Sequence, residues 1–132
     1  DYTARNEEKF ALNIDLAPTL LDLANIPIPN GLDGTSLEPL LANPEADWRD
    51  HVFIEHYKDG EADDPSGLST RIPTYWAIRT DKWKYVEYIN GDRELYDMVN
   101  DRYELENLAS RPEYAELIQS FSEQIQPFRF EP

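Results

Sequence analysis

Hydrophobic residues in the second half of the chain alternate with polar ones, which is the spacing of a half-buried β-strand. The alternating segments are rich in Val, Ile, Tyr, Phe and Trp, the residues that favour strands. They are His51–Tyr57, Thr74–Thr80, Trp83–Ile89 and Glu94–Met98. Asn90-Gly91 lies between the last two segments and predicts a type I′ hairpin, a turn that needs positive φ at both central positions. The pattern therefore predicts a four-stranded antiparallel sheet with one buried face.

The end of the chain changes to a helical period. Ser110-Arg111-Pro112-Glu113 has the form of a capping box, and an amphipathic stripe follows at the spacing of one helix face. The stripe consists of Tyr114, Leu117, Ile118, Phe121 and Ile125. We expect this C-terminal helix to cover the sheet, which gives the chain an α+β fold.

Two shorter helices are predicted in the first half of the chain, over about residues 16–25 and 37–41. Asp15 is placed to cap the first helix, and Leu16, Leu20 and Leu23 share one of its faces. Asn25 can adopt the left-handed conformation that ends many helices. Ser36 is placed to cap the second helix. The pattern alone indicates short helices and no particular function.

Polar segments divide the chain. Residues 1–12 are polar and predict a loose approach to the first helix, while Asn43–Asp50 is a polar connection before the first strand. We therefore place a boundary after residue 50. Residues 1–50 are typical of the end of a larger domain, and residues 51–132 form a self-contained unit.

Composition excludes several kinds of binding and catalysis for this chain. The chain of 132 residues carries 27 acidic and 12 basic side chains, a net charge of -15, which disfavours binding to nucleic acid. It has no Cys, so disulfides, thiolate catalysis and Cys-ligated zinc are excluded. No apolar run approaches the roughly 20 residues of a membrane span. The chain begins at Asp1 without Met or a signal-like segment, and we expect that it comes from something longer.

No catalytic motif stands alone in this sequence. A Gly-x-Ser-x-Gly elbow is absent, and there are only 2 His. The acidic segment from Asp59 to Thr70 starts like a calcium-binding EF-hand loop. It has Asp64 where the sharp turn needs Gly, and Thr70 where the bidentate Glu belongs. The sequence therefore predicts no catalytic residue and no metal ligand, and the long acidic segment Lys58–Pro73 is interpreted as a solvated loop.

Several segments together resemble the C-terminal part of the sulfatases, members of the alkaline phosphatase-like superfamily. Asn13–Ala24 resembles the Asp-Leu-x-Pro-Thr-Leu helix near the end of the sulfatase catalytic domain, and Gly34–Leu37 is similar to the Gly-x-Ser-Leu that follows it. Ala77–Val86 resembles the family's Ile-Arg-Thr…Lys-Tyr hairpin. Glu94–Ala109 resembles its Glu-Leu-Tyr-Asp-Leu…Asn-Leu-Ala segment. Pro-Thr-Tyr-Trp-Ala-Ile-Arg-Thr, which starts at Pro73, is most similar to sulfatases of sugar sulfates, such as glucosamine-6-sulfatases.

The resemblance implies a parent enzyme that hydrolyses sulfate esters of sugars or aryl groups. It also implies a calcium ion and a formylglycine, made from a Cys/Ser-x-Pro/Ala-Ser-Arg motif, in a missing N-terminal catalytic domain. That domain would be the partner of this chain, and the chain alone would be inactive. Export to the periplasm or the medium is implied as well. The tail of a related phosphodiesterase or phosphonate hydrolase is one alternative, and a stand-alone glycan-binding or interaction module is another.

Three residues are candidates for a substrate-binding wall in the parent enzyme: His56, Tyr75 and Arg79. Each has a plainer interpretation. His56 can be a solvated strand residue, Arg79 can pair with Glu87 or Glu94, and Tyr75 and Trp76 can belong to the core. In the isolated chain we expect Leu20, Leu21, Leu40 and Leu41 to be exposed or covered by self-association.

Overall fold

The computed structural model describes residues 4–57 and 72–129. The chain forms two compact units with a boundary between Asp50 and His51. The first unit contains helices α1 (Leu16–Leu23) and α2 (Glu38–Ala42). The second contains strands β1 (His51–His56), β2 (Tyr75–Thr80), β3 (Trp83–Tyr88) and β4 (Arg93–Asp97), followed by helix α3 (Ala115–Ile125). The EF-hand-like segment Asp59–Thr70 lies outside the described residues.

The four predicted strands form one antiparallel sheet in the order β1-β2-β3-β4. The hairpin between β3 and β4 differs from the predicted type I′ turn. The Gly91 N–H donates to the Tyr88 carbonyl at 2.9 Å, and Gly91 has a φ of +90° while Asn90 is outside the left-handed region. This geometry is typical of a three-residue loop that ends in a glycine bulge. The glycine was correctly recognised as essential, but the loop is one residue longer.

Helix α3 packs on one face of the sheet, as predicted. The buried core contains Trp76 and Ile78 from β2, Tyr85 from β3, Leu95 from β4, Leu108 from the connection, and Ile118, Phe121 and Ile125 from α3. Tyr85 on β3 and Leu95 on β4 are cross-strand partners, and both are 0% exposed within this core. The α+β fold class predicted from the sequence is confirmed.

A buried carboxylate anchors α3 to the sheet. Glu87 on β3 accepts hydrogen bonds from the Tyr85 hydroxyl (2.7 Å), the Ser122 hydroxyl (3.0 Å) and Arg129 (2.6 Å). Burial raises the pKa of Glu87, but these hydrogen bonds and the nearby guanidinium groups outweigh burial and lower that pKa below its ordinary value.

The predicted capping box at Ser110 was wrong. A turn of 3-10 helix, Pro112–Tyr114, precedes α3, and its cap is Arg111, which makes no side-chain cap bond.

Asp15 takes the N-cap position of α1, as predicted, but its carboxylate makes no cap bond to that helix. It ends a short 3-10 turn, Asn13–Asp15, where it accepts the Leu12 N–H, and it is 0% exposed. Its carboxylate accepts hydrogen bonds from Nη1 and Nη2 of Arg49 at 2.9 Å each, and also from the backbone N–H groups of Thr35 and Leu12 at 2.8 Å each. Asp15 thus joins the start of α1 to residues that lie 20 and 34 positions later in the chain.

The end of α1 follows the prediction. Asn25 has a φ of 55°, and the N–H groups of Asn25 and Ile26 return to the carbonyls of Asp22 and Leu21 at 2.9 Å each. This is the Schellman pattern, in which a left-handed residue closes the helix.

Two further contacts fix the first unit. A Cβ at position 34 would lie 2.0 Å from the Ile14 carbonyl oxygen, so only glycine fits beside the start of α1. Residues 4–12 are not the loose segment that was predicted, because Lys9 donates to the carbonyls of Pro44 and Ala46 at 2.8 Å each.

Within the described ranges, no helix is both long and apolar enough to span a bilayer.

Candidate functional site

The candidate site lies on the distal face, which we define as the face of the sheet opposite α3. Strand alternation and register place eleven residues on it: Val52, Ile54, His56, Tyr75, Ala77, Arg79, Lys84, Val86, Tyr88, Glu94 and Tyr96. Val52, Ala77, Val86 and Tyr96 are buried at 1–9% exposure. The prediction of a single buried face was therefore wrong: both faces carry buried side chains, as in a sheet covered on two sides.

A row of rings crosses three strands at one end of the distal face. His56 of β1 is directly opposite Tyr75 of β2, and Tyr75 is opposite Tyr88 of β3. The His56 and Tyr75 ring centroids are 5.3 Å apart and stacked, while the Tyr75 and Tyr88 centroids are 5.6 Å apart and edge-on. These are favourable cross-strand contacts, and they hold the three rings as one aromatic row.

One nitrogen of the His56 imidazole makes no hydrogen bond to the described residues. Its Nε2 is buried and has no hydrogen-bond partner among residues 4–57 and 72–129. Leaving a buried polar atom unpaired costs free energy, so such an atom in a native protein calls for an explanation. A ligand atom or a residue of another part of the protein would satisfy it.

A cleft of about 230 Å³ adjoins the aromatic row. Its lining combines apolar strand residues with two rings, one cation and one carboxylate: Ile54, Ile72, Tyr75, Ala77, Lys84, Val86, Tyr88 and Glu94. The Lys84 ammonium pairs with Glu104 at 2.6 Å. The Tyr88 hydroxyl donates to Glu94 at 3.3 Å. Aromatic rings beside hydrogen-bonding groups are a surface that fits a sugar ring and its hydroxyls.

The phenols of this face remain protonated at neutral pH. Burial, and then the Glu94 carboxylate beside it, raises the pKa of Tyr96 to about 12. The pKa of Tyr88 is raised for the same reasons in the same order. Both groups therefore act as neutral hydrogen-bond partners and offer no phenolate nucleophile.

The structure brings together two of the three candidate residues from the sequence. His56 and Tyr75 are cross-strand neighbours in the aromatic row. Arg79 lies on the same face but four residues further along β2, which is roughly 13 Å from Tyr75. Glu87 faces α3 and binds Arg129, so it is on the opposite face from Arg79. Trp76 belongs to the core, where it is 7% exposed.

Sequence reasoning missed Tyr88, Lys84 and Glu94. The signal was present for Tyr88, because pairing Arg79 with Lys84 across the β2–β3 hairpin sets Tyr75 opposite Tyr88. Lys84 pairs with Glu104, which lies outside the strands, so no strand pattern indicates this pair. Within the part of the chain that the structure describes, no group of three or more His, Asp or Glu side chains could hold a metal ion.

The chain is similar to known proteins over nearly its whole length. A family model described as N-sulphoglucosamine sulphohydrolase, C-terminal, matches residues 2–131. An N-acetylglucosamine-6-O-sulfatase of Bacteroides thetaiotaomicron is 34% identical over 110 residues, which cover 80% of this chain and 18% of that protein.

Solved structures are also similar to this chain. BT4656, in complex with its substrate D-glucosamine-2-N,6-O-disulfate, matches with a TM-score of 0.71 and 29% identity over 86% of this chain and 23% of its own. The phosphonate monoester hydrolase of Agrobacterium radiobacter matches with a TM-score of 0.69 and 32% identity, over 87% of this chain and 24% of its own. The chain thus spans about a fifth to a quarter of the length of these relatives.

Proposed function

Because the chain belongs to the N-sulphoglucosamine sulphohydrolase C-terminal family, we propose that it is the C-terminal portion of a sulfatase, an enzyme that hydrolyses sulfate esters. The observation that carries this proposal is the family match, which extends from residue 2 to residue 131. The resemblance to the C-terminal part of sulfatases noted in the sequence is confirmed by the same match.

The proposed substrate of the parent enzyme is a sulfated sugar. Two of the similar proteins are described with a glucosamine sulfate, one as its sulfatase and one in complex with it. The aromatic row and its cleft support this choice, since rings stack on sugar faces while carboxylate and ammonium groups bind hydroxyls. An aryl sulfate is the second member of the same substrate class.

This chain would support the reaction without carrying it out. Hydrolysis of a sulfate ester needs positive charge on the transferring group, which a metal ion supplies in many hydrolases. The described residues do not form a group that could hold such a metal. We propose that the calcium ion and the formylglycine belong to the preceding part of the enzyme, and that the chain alone does not turn over substrate.

His56 and Tyr75 would contact the substrate together, and Arg79 would contact a more distant part of it. The buried and unpaired Nε2 supports His56, because a substrate oxygen could complete its hydrogen bonding. The stacked ring supports Tyr75. Arg79 supplies a cation on the same face, which suits an anionic sulfate.

Replacing His56 tests this wall in the full-length enzyme. We expect His56→Ala to raise the KM for the native sugar sulfate roughly threefold to tenfold, the effect of one lost hydrogen bond. His51→Ala is the matched control, since His51 is on the same strand but packs edge-on against Phe53 at 4.9 Å on the α3 side. Equal KM and kcat for His56→Ala and the unmodified enzyme would remove His56 from the substrate pocket.

Two measurements test the activity itself. The gene upstream of Asp1 should encode a Cys/Ser-x-Pro/Ala-Ser-Arg motif in the same reading frame. The full-length protein should then release sulfate from N-acetylglucosamine 6-sulfate and from an aryl sulfate. A full-length protein that carries the motif but releases no sulfate from either ester would contradict the proposal.

A phosphonate hydrolase is the second candidate, because the Agrobacterium radiobacter enzyme is 32% identical over this region. Faster hydrolysis of a phosphonate monoester than of a sulfate ester by the full-length protein would favour it.

A stand-alone glycan-binding module is the third candidate. It predicts a change in tryptophan fluorescence when the chain is titrated with sulfated sugars, and no response at millimolar sugar would count against it. We also propose that the parent enzyme is exported, which cell fractionation would test.

A further inference from the structure

The chain contains two Asn-Gly pairs, Asn30-Gly31 and Asn90-Gly91, and both lie in exposed turns. Gly31 has a φ of +94° and Gly91 a φ of +90°, whereas neither asparagine is in the left-handed region. A Cβ on either glycine would meet nothing within 4 Å, so both peptide bonds are sterically open. The two pairs therefore differ in their hydrogen bonds and not in crowding.

The Asn90-Gly91 pair is held at three atoms. The Asn90 Nδ2 donates to the Asp92 carboxylate at 2.8 Å, and the Asn90 Oδ1 accepts the Asp92 N–H at 3.1 Å. The Gly91 N–H donates to the Tyr88 carbonyl at 2.9 Å. These bonds lie in the hairpin that joins the paired strands β3 and β4, so the side chain and the next peptide nitrogen are both fixed in place.

The Asn30-Gly31 pair makes none of these contacts. Among residues 4–57 and 72–129, neither the Asn30 side chain nor the Gly31 N–H forms a hydrogen bond. The pair lies in the exposed connection between α1 and α2. Because glycine carries no side chain, its backbone nitrogen is open to the side chain before it. The Asn30 side chain can therefore rotate until its Cγ meets the Gly31 nitrogen.

We propose that Asn30 is a deamidation site, at which the neutral amide is converted into a carboxylate without an enzyme. The Gly31 nitrogen gives its proton to hydroxide and attacks the Asn30 Cγ. The bond from Cγ to Nδ2 breaks, Nδ2 takes up a proton and leaves as ammonia, and a cyclic succinimide forms. Water then adds to one carbonyl of the ring and breaks its bond to nitrogen, which yields aspartate or isoaspartate. This proposal is independent of the proposed function.

Peptide mapping of the full-length protein by mass spectrometry tests the site. After incubation at mildly alkaline pH, oxygen should replace the amide nitrogen about tenfold faster, or more, at Asn30 than at Asn90. The reason is that the three hydrogen bonds of Asn90-Gly91 must open before attack. The deamidated protein should also elute later on anion exchange, because deamidation adds negative charge. In denaturant, where these bonds are absent, the two sites should react at similar rates.

Two variants sharpen the comparison. Asn30→Gln should abolish the conversion at position 30, because the longer side chain closes the ring poorly. Asp92→Ala removes the acceptor of the Asn90 amide and should raise the rate at Asn90 towards that at Asn30. Equal rates at the two sites in the folded protein would overturn the proposal. Conversion at Asn30 only in denaturant would overturn it as well, since the turn would then be protected in the native protein.

Discussion

The two units of the chain are stabilised in opposite ways. In the first unit the described buried residues are Asp15, Pro18, Thr19, Ser36 and Leu40, so three of five are polar, while three leucines of α1, at positions 16, 20 and 23, are exposed. In the second unit the buried residues between the sheet and α3 are almost all apolar. One unit buries its hydrogen bonds and exposes its leucines, and the other buries an ordinary hydrophobic core.

This difference indicates how far each unit depends on the rest of a protein. Apolar burial is the main favourable term in folding, so the second unit has its own driving force. Buried hydrogen bonds define geometry but contribute little net free energy, so the first unit is well defined in shape and weakly stabilised. The indole N–H signals of the three tryptophans separate the two units in NMR spectra, since Trp48 lies in the first and Trp76 and Trp83 lie in the second.

The largest effect should come from the core of the second unit. We expect Leu95→Ala to lower its free energy of unfolding by about 2–5 kcal/mol, because Leu95 is 0% exposed and its loss leaves a cavity. Urea denaturation followed at Trp76 and Trp83 measures this. Leu105→Ala is the control and should change stability by less than about 0.5 kcal/mol. A small effect of Leu95→Ala would mean that the core is loosely packed.

Removing the charge of Asp15 should cause the next largest loss of stability. Asp15→Asn loses two charge-assisted bonds with Arg49, and we expect the first unit to lose about 2–4 kcal/mol. The Trp48 indole, which donates to the Phe10 carbonyl at 2.7 Å, should report this loss while Trp76 and Trp83 remain unchanged. Asp33→Asn, at an exposed position, is the control. Simultaneous loss of all three signals would show that the units unfold together.

Acid should weaken the anchor of α3. The pKa of Glu87 in the folded protein lies below its ordinary value of 4.5, so the unfolded chain binds more protons in that range. The contribution of Glu87 is therefore fully present above the unfolded pKa and is lost as pH falls through the folded one. We expect Glu87→Gln to cost about 1–2 kcal/mol at pH 7 and much less at a pH below the folded pKa. Glu116→Gln, in the exposed first turn of α3, is the control, and an equal cost at both pH values would exclude this charge effect.

The smallest effect should come from the exposed leucines of α1. Leu20→Gln should change the stability of the isolated chain by less than about 0.5 kcal/mol, since the side chain is already 68% exposed. Thermal unfolding of the isolated chain checks this. Leu40→Gln is the contrasting variant, because Leu40 is 3% exposed and should be costly. A large loss of stability in Leu20→Gln would show that Leu20 is buried in solution.

Local chemistry made much of the fold predictable. Strand alternation gave β1 to β4 within about one residue at each end, and the left-handed conformation of Asn25 followed from its place after an apolar helix. The failures at Asp15 and at Leu40 involve long-range contacts. Asp15 has the local setting of a cap, and nothing near it in the sequence indicates that Arg49 takes its carboxylate. Leu40 and Leu41 are equivalent in the sequence, but only Leu40 is buried.

The candidate site was less predictable for the same reason. His56 and Tyr75 belong to strands that are separated by a long stretch of chain, so their stacking depends on the register of β1 against β2. Their role as substrate contacts stays a prediction. Burial on the distal face had a signal in the apolar residues Val52, Ala77 and Val86, but the prediction assigned one buried face to the whole sheet.

The order of the strands has a consequence for the speed of folding. Each strand pairs with its neighbour in sequence, and only two residues separate Thr80 at the end of β2 from Trp83 at the start of β3. Such local pairing requires little loop closure, so we expect β2, β3 and β4 to form an early nucleus in refolding. The long-range side-chain bonds of the first unit join residues 14 to 38 positions apart and should appear in a later kinetic phase. On a ribosome, however, the first unit emerges before the sheet, which reverses the order expected in refolding.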